Sequence, residues 1–109
     1  MSYDEGMAQR LREVLAHRTD VVEKRMFGGI AFMLSGHMCC GVVDDTLMAR
    51  VGPGQYQEAL ALPHAREMDF TARPMRGFVF VDAEGLRSDE ELIGWVRLCE
   101  EYVDQLPPK

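Results

Sequence analysis

Apolar positions along the chain change period repeatedly, and each change marks an element. From residue 4 to about 18, Met7, Leu11, Val14 and Leu15 lie on one helical stripe with arginines and a glutamate opposite, which predicts a first helix. Residues 21–27 read as a short extended lead-in. The run over 30–34 is strand by composition, Ser35-Gly36 supplies the chemistry of a tight turn, and the chain returns as a second strand over 37–43. A turn at Asp44-Asp45-Thr46 leads into a third strand over 47–51. The two short connections make these three strands an antiparallel meander.

Gly52-Pro53-Gly54 then punctuates the chain, and residues 55–62 read as a short helix stopped by Pro63. A fourth strand with a weak pattern is expected over 67–71, and a fifth with a strong one over 76–82. Ser88 and Glu91 match a capping box, in which the serine oxygen accepts from the glutamate backbone while the glutamate side chain reaches back to the cap. Leu92, Trp95, Val96, Cys99, Val103 and Leu106 follow as one apolar stripe, ended by Pro107-Pro108. The predicted order is therefore α-β-β-β-α-β-β-α, an α+β two-layer sandwich with helices packed on an antiparallel sheet.

Composition narrows this picture without changing it. At 109 residues, 47% apolar and 28% charged, the chain is expected to be a single domain over 1–109 with one core. The first residues lack the basic flank and apolar run of a signal peptide, and no segment approaches the roughly 20 apolar residues of a membrane span. A cytoplasmic location without membrane contact is the expectation. Three cysteines, two of them adjacent, do not make a disulfide framework and fit a reducing compartment. Eighteen acidic against twelve basic residues give a formal charge of -6, which on average repels a polyanion, so unaided DNA or RNA binding is disfavoured. The charges are also unevenly spread. Arg25, Arg50, Arg73 and Arg76 lie in the middle of the chain, whereas the last helix carries Asp89, Glu90, Glu91, Glu100, Glu101 and Asp104.

His37, Cys39 and Cys40 invite a metal or redox reading, since imidazole and thiolate bind soft metals. Strand alternation opposes it by sending Cys39 and Cys40 to opposite faces, leaving His37 and Cys39 on one side. Further ligands would have to come from His64 or Cys99, without the close-spaced pairs of a zinc site. Buried structural cysteines are the expectation, with no metal and no cofactor. A cysteine nucleophile is disfavoured as well, because nothing marks an orienting third group or an oxyanion hole. Gly28-Gly29 and Gly52-Pro53-Gly54 lack the spacing of phosphate-binding loops and read as turns, although Gly54 precedes a helix whose amides could receive an anion. His64, Arg66, Asp69, Arg73 and Arg76 form the most polar run. Arg50 with Arg73 or Arg76, beside His64, makes a candidate small-anion site, because guanidinium groups grip carboxylate and phosphate bidentately. The competing reading pairs these arginines with Asp69, Glu67 or the acidic last helix on a solvated face.

The segment order, combined with Arg25, Met26, Phe27, Gly28 and Gly29 at the start of the first hairpin, the Leu47-Met-Ala-Arg-Val strand, Met75-Arg-Gly-Phe-Val and the closing Asp89-Glu-Glu-Leu helix, resembles the N-terminal domain of the TfoX/Sxy family. The likeness runs from about residue 7 to 106. It implies a sheet-and-helix fold similar to secretion chaperones. It also implies a link to regulators of natural competence, which act as coactivators with the cyclic-AMP receptor protein. Full-length regulators of that family carry a second, helical C-terminal domain, whereas this sequence stops at Lys109, so a stand-alone domain is expected.

The hairpin faces support one more expectation. Ile30, Phe32 and Leu34 point to a core side, whereas Ala31 and Met33 point the other way and remain apolar. With Cys39 or Cys40 and Met48 alongside, this second side reads as a candidate interface for a homodimer or a protein partner. The expected function is a small domain acting through protein contacts, in competence-type transcriptional regulation without reading DNA itself. A small-anion-binding module ranks second, and an enzyme third.

Overall fold

The two turn signals after the first strand close as expected because their residues tolerate a left-handed backbone. Ser35 and Gly36 take φ 51° and 88°, and Asp44 takes φ 54°. Positive φ at both central residues gives the hairpin a twist that matches its strands. In a computed structural model that describes residues 3–26, 28–68 and 76–107, the elements are α1 (Glu5–Val14), β1 (Val21–Met26), β2 (Gly29–Leu34), β3 (His37–Val43), β4 (Thr46–Arg50), α2 (Tyr56–Leu60), β5 (Ala65–Glu67), β6 (Phe78–Val81) and α3 (Asp89–Val103). A short 3-10 turn over Ala83–Leu86 joins β6 to α3.

The six strands form one antiparallel sheet in the order β1-β2-β3-β4-β6-β5. Asp4 caps α1 by accepting from the Gly6 amide, and Ser88 and Glu91 complete the capping box at α3. The α+β two-layer architecture agrees with the pattern-based expectation. The lead-in over 21–27 is more than extended: Val21–Met26 pairs along its whole length with β2 and forms one edge of the sheet. Its interior positions are exposed and carry Glu23, Lys24 and Arg25, which is why periodicity alone did not mark it as a strand. The fourth expected strand starts earlier, at Ala65–Glu67; the rest of its expected span, from residue 69, lies outside the described residues.

The main core lies between the helices and one face of the sheet. Ile30, Phe32, Leu34, Val42, Leu47, Val79 and Val81 share this core with Leu11 of α1, with Leu15 at its C-terminal cap, and with Leu92, Val96 and Val103 of α3. A second apolar cluster covers the opposite face, where Ala31, Met38, Met48, Met68 and Phe80 are buried and Met26, Met33, Val43 and Phe78 pack around them. Its central row runs across four strands, Ala31 to Gly41 to Met48 to Phe80. Gly41 makes this row close-packed, since a β-carbon there would stand 2.6 Å from the Met48 methyl and 2.5 Å from the Ile30 carbonyl oxygen.

This finding revises the candidate interface. Ala31 and Met48 have no exposed surface, and Met33 is half-buried. The face is apolar, as alternation predicted, but its centre is buried within a single chain.

Candidate interaction surface

A β-bulge decides where the cysteines go. The β2–β3 register pairs Phe32 with Cys40 but Met33 with Met38, so Cys39 is an extra residue on β3. The insertion returns Cys39 to the same face as Cys40, and both join Cys99 of α3 in the main core. The expectation that Cys39 and Cys40 face opposite sides is thereby overturned. All three thiols are free and without exposed surface. Donation from Cys40 and then Cys99 pulls the Cys39 thiol down, while burial opposes that pull. Cys40 and Cys99 are pushed well above the ordinary thiol range, first by their hydrogen bonds to Cys39 and then by burial. Their closure from solvent makes them packing residues, since reactive cysteines sit in partly exposed surroundings. Among the described residues no group of three His, Cys, Asp or Glu side chains is arranged to hold a metal.

Next to this cluster lies an ionic corner that ties the ends of α1 and α3 to the β2–β3 turn. Arg18 donates to Asp20 at 2.9 Å, to Glu100 at 3.0 Å and to Asp104 at 2.8 Å. The Ser35 hydroxyl donates to Asp20 at 2.8 Å, and His17 and Arg97 both reach Glu100. Hydrogen bonds from Arg18, then Ser35, hold the Asp20 carboxyl well below the usual carboxylate range, and Arg18 lowers Asp104 too. Among the described residues Glu100 is the charged one that is buried, and this cage of cations compensates its desolvation.

The candidate anion residues do not converge. Arg50 lies between the rings of Phe78 and Tyr102, 5.5 and 5.4 Å from their centroids, and donates to the Met38 carbonyl. Gly52 permits this stack, because it takes φ 88° and a β-carbon there would stand 2.3 Å from the Tyr102 ring. His64 sits at the opposite end of β6, where its carbonyl accepts from Asp82 and its ring borders Gly85. Arg66 lies over Phe80 and pairs with Asp82 at 3.0 Å, which is the solvated-face pairing considered above with a different carboxylate. Arg76 is exposed in the turn before β6, and Arg73 lies outside the described residues. His37 accepts from or donates to no thiol; its ring contacts the Pro107 carbonyl at 2.6 Å. The buried Tyr56 hydroxyl finds no partner at hydrogen-bond geometry among the described residues, and burial pushes its phenol up.

What the sequence reading missed is on the helical side. Three adjoining hollows of about 210, 190 and 240 Å³ follow the flank of α3 that faces α2, sharing Leu98 as a common wall. Leu62, Ala59 and Trp95 add apolar surface, and Leu62 stays 43% exposed. Glu58, Glu90, Glu91 and Glu101 stand along the same trough. None of the described residues lining it is basic. The signal was present as a second stripe on α3, Glu91, Gly94, Leu98, Glu101 and Gln105, at helical spacing beside the core stripe.

The sequence model of the TfoX N-terminal domain matches residues 13–102. The chain belongs to the TfoX N-terminal domain family. No curated protein and no solved structure matches it. Within this TfoX domain Gly28 and Gly29 lie where β1 passes into β2. Gly28 takes φ 76°, and a β-carbon on Gly29 would stand 2.0 Å from the Val42 carbonyl oxygen. Arg25 and Met26 end β1, and Phe27 lies outside the described residues. No helix among the described residues is long and apolar enough to cross a membrane.

Proposed function

We propose that this TfoX N-terminal domain is a non-enzymatic contact module of competence-type transcriptional regulation, acting through a protein partner and not by reading DNA. The observation that carries this reading is the acidic, partly apolar trough on the α2–α3 side. Its exposed leucine and its carboxylates, which enter no ion pair among the described residues, suit a protein surface and repel a phosphate backbone. The net charge of -6 acts in the same direction. Because Ala31 and Met48 are buried at the centre of the methionine-rich face, with Met33 half-buried beside them, and Cys39 lies in the main core, the reading favours the helical side as the contact surface.

The test is transcription from a promoter dependent on the cyclic-AMP receptor protein, with and without the domain, alongside gel shifts of the same DNA. Raised activator-dependent transcription, with no shift of the DNA by the domain alone, is the expected result. A shift by the domain alone, or no effect in the presence of the activator, would sink the proposal.

A further inference from the structure

We infer that the trough between α2 and α3 is a docking groove for a basic amphipathic helical segment of a protein partner, a reading that rests on the contact function proposed above. Shape is the first argument. On α3 the stripe from Glu91 to Glu101 covers about 15 Å at 1.5 Å per residue, and Gln105 extends it into the turn just past the helix, a length that a partner helix of about 14 residues covers. Gly94 leaves the floor of this stripe at backbone level, since a β-carbon there would meet nothing within 4 Å. Leu98 runs through all three hollows, with Leu62 as the opposite wall of two, so the apolar ground is continuous.

Charge selects the occupant. Four carboxylates, Glu58, Glu90, Glu91 and Glu101, border the apolar ground, and no described residue lining it is basic; Arg87 and His64 stand near Glu91 at one end, and Arg97, one turn before Glu101, is paired with Glu100. Glu91 also serves the Ser88 cap, but Glu58, Glu90 and Glu101 enter no ion pair among the described residues. A second copy of this chain, itself at -6, is repelled from such a rim. A purely apolar helix would leave the carboxylates uncompensated. A helix with aliphatic anchors at i, i+3 or i+4, and i+7, flanked by Lys and Arg, fills the hollows and neutralises the rim together.

The chain's only tryptophan, Trp95, lines the groove and supplies the readout. The probe is a peptide of about 14 residues with leucines on one helical face and lysines on its flanks, titrated while Trp95 emission is followed. A saturable change that weakens with added salt, and that is lost when glutamates replace the lysines, is expected. Gly94→Gln lays a side chain across the floor and is expected to weaken binding roughly tenfold or more. The triple variant Glu58→Gln, Glu90→Gln and Glu101→Gln keeps the floor, removes the rim charge and is expected to lose about tenfold. Unchanged affinity in the triple variant, or equal binding of the acidic peptide, overturns the inference even where Gly94→Gln does not fold. If both variants keep activator-dependent transcription, the groove fails and the contact function stands. If the unaltered protein binds the basic peptide through the groove but has no effect on transcription, the groove stands and the regulatory reading fails.

Discussion

The two flanks of α3 carry the same residue type in opposite circumstances. On one flank Glu100 and Asp104 are gripped by Arg18, Arg97 and His17, and Glu100 is buried. On the other, Glu90, Glu91 and Glu101 border open apolar hollows with no basic lining residue. The difference teaches how to read an acidic helix. A carboxylate whose cation is supplied by its own chain belongs to the fold; a row without one, beside exposed leucine, is available to another molecule.

Breaking the paired flank should have the largest effect. Arg18→Met removes the partner of three carboxylates and leaves Glu100 buried with less compensation, so a loss of about 3 kcal/mol in urea unfolding is expected. A loss under about 0.5 kcal/mol would place the corner with ordinary surface pairs.

Acid titration probes the same corner more gently. Asp20 and Asp104 titrate lower in the folded state than their ordinary value of 3.8. Their stabilisation is therefore fully present above the unfolded pKa, and it declines as pH falls below about 4 toward the depressed native values. Thermal unfolding of the wild type should show this decline, and Arg18→Met should flatten it. An equal slope in both proteins would mean that other carboxylates set the acid limb.

The open flank should behave the opposite way. Gly94→Ala is expected to raise stability by about 0.5–1 kcal/mol, because the site is an exposed helix interior with free space for a β-carbon. Destabilisation would show that something packs on this surface within the chain. Smallest of all, Glu90→Gln with Glu101→Gln should shift unfolding by no more than about 0.5 kcal/mol, since neither carboxylate enters an ion pair among the described residues. A larger loss would move these residues into the class of Glu100.

Much of the fold was legible in residues whose local chemistry suffices. Ser35-Gly36 specifies its turn, Ser88 with Glu91 specifies the start of α3, and the stripe from Leu92 to Val103 specifies which side of that helix is buried. In the sequence β1 shows only extended character, because an edge strand with Glu23, Lys24 and Arg25 exposed carries no alternation to detect. The candidate sites were harder. Arg50, which ends β4, and His64, which precedes β5, flank opposite ends of β6, and Arg50 is taken up by Phe78 and Tyr102, the second of which comes from α3.

By itself the sequence determined the family, the α+β class, the helical caps and turns, and the apolar character of both faces of the first hairpin. These follow from contacts a few residues apart and from periodicities of two and 3.6. Tertiary structure alone decided three things. Pairing with β2 inserted the bulge that turns Cys39 toward Cys40 and Cys99. Packing around Ala31, Met48 and Met68 buried the centre of the methionine-rich face within the chain. Packing of α2 beside α3 made a trough out of a stripe that in one dimension is only five residues at helical spacing. Each depends on which surfaces meet across the fold, and a one-residue change of register or the placement of a neighbouring helix is not encoded in any local pattern.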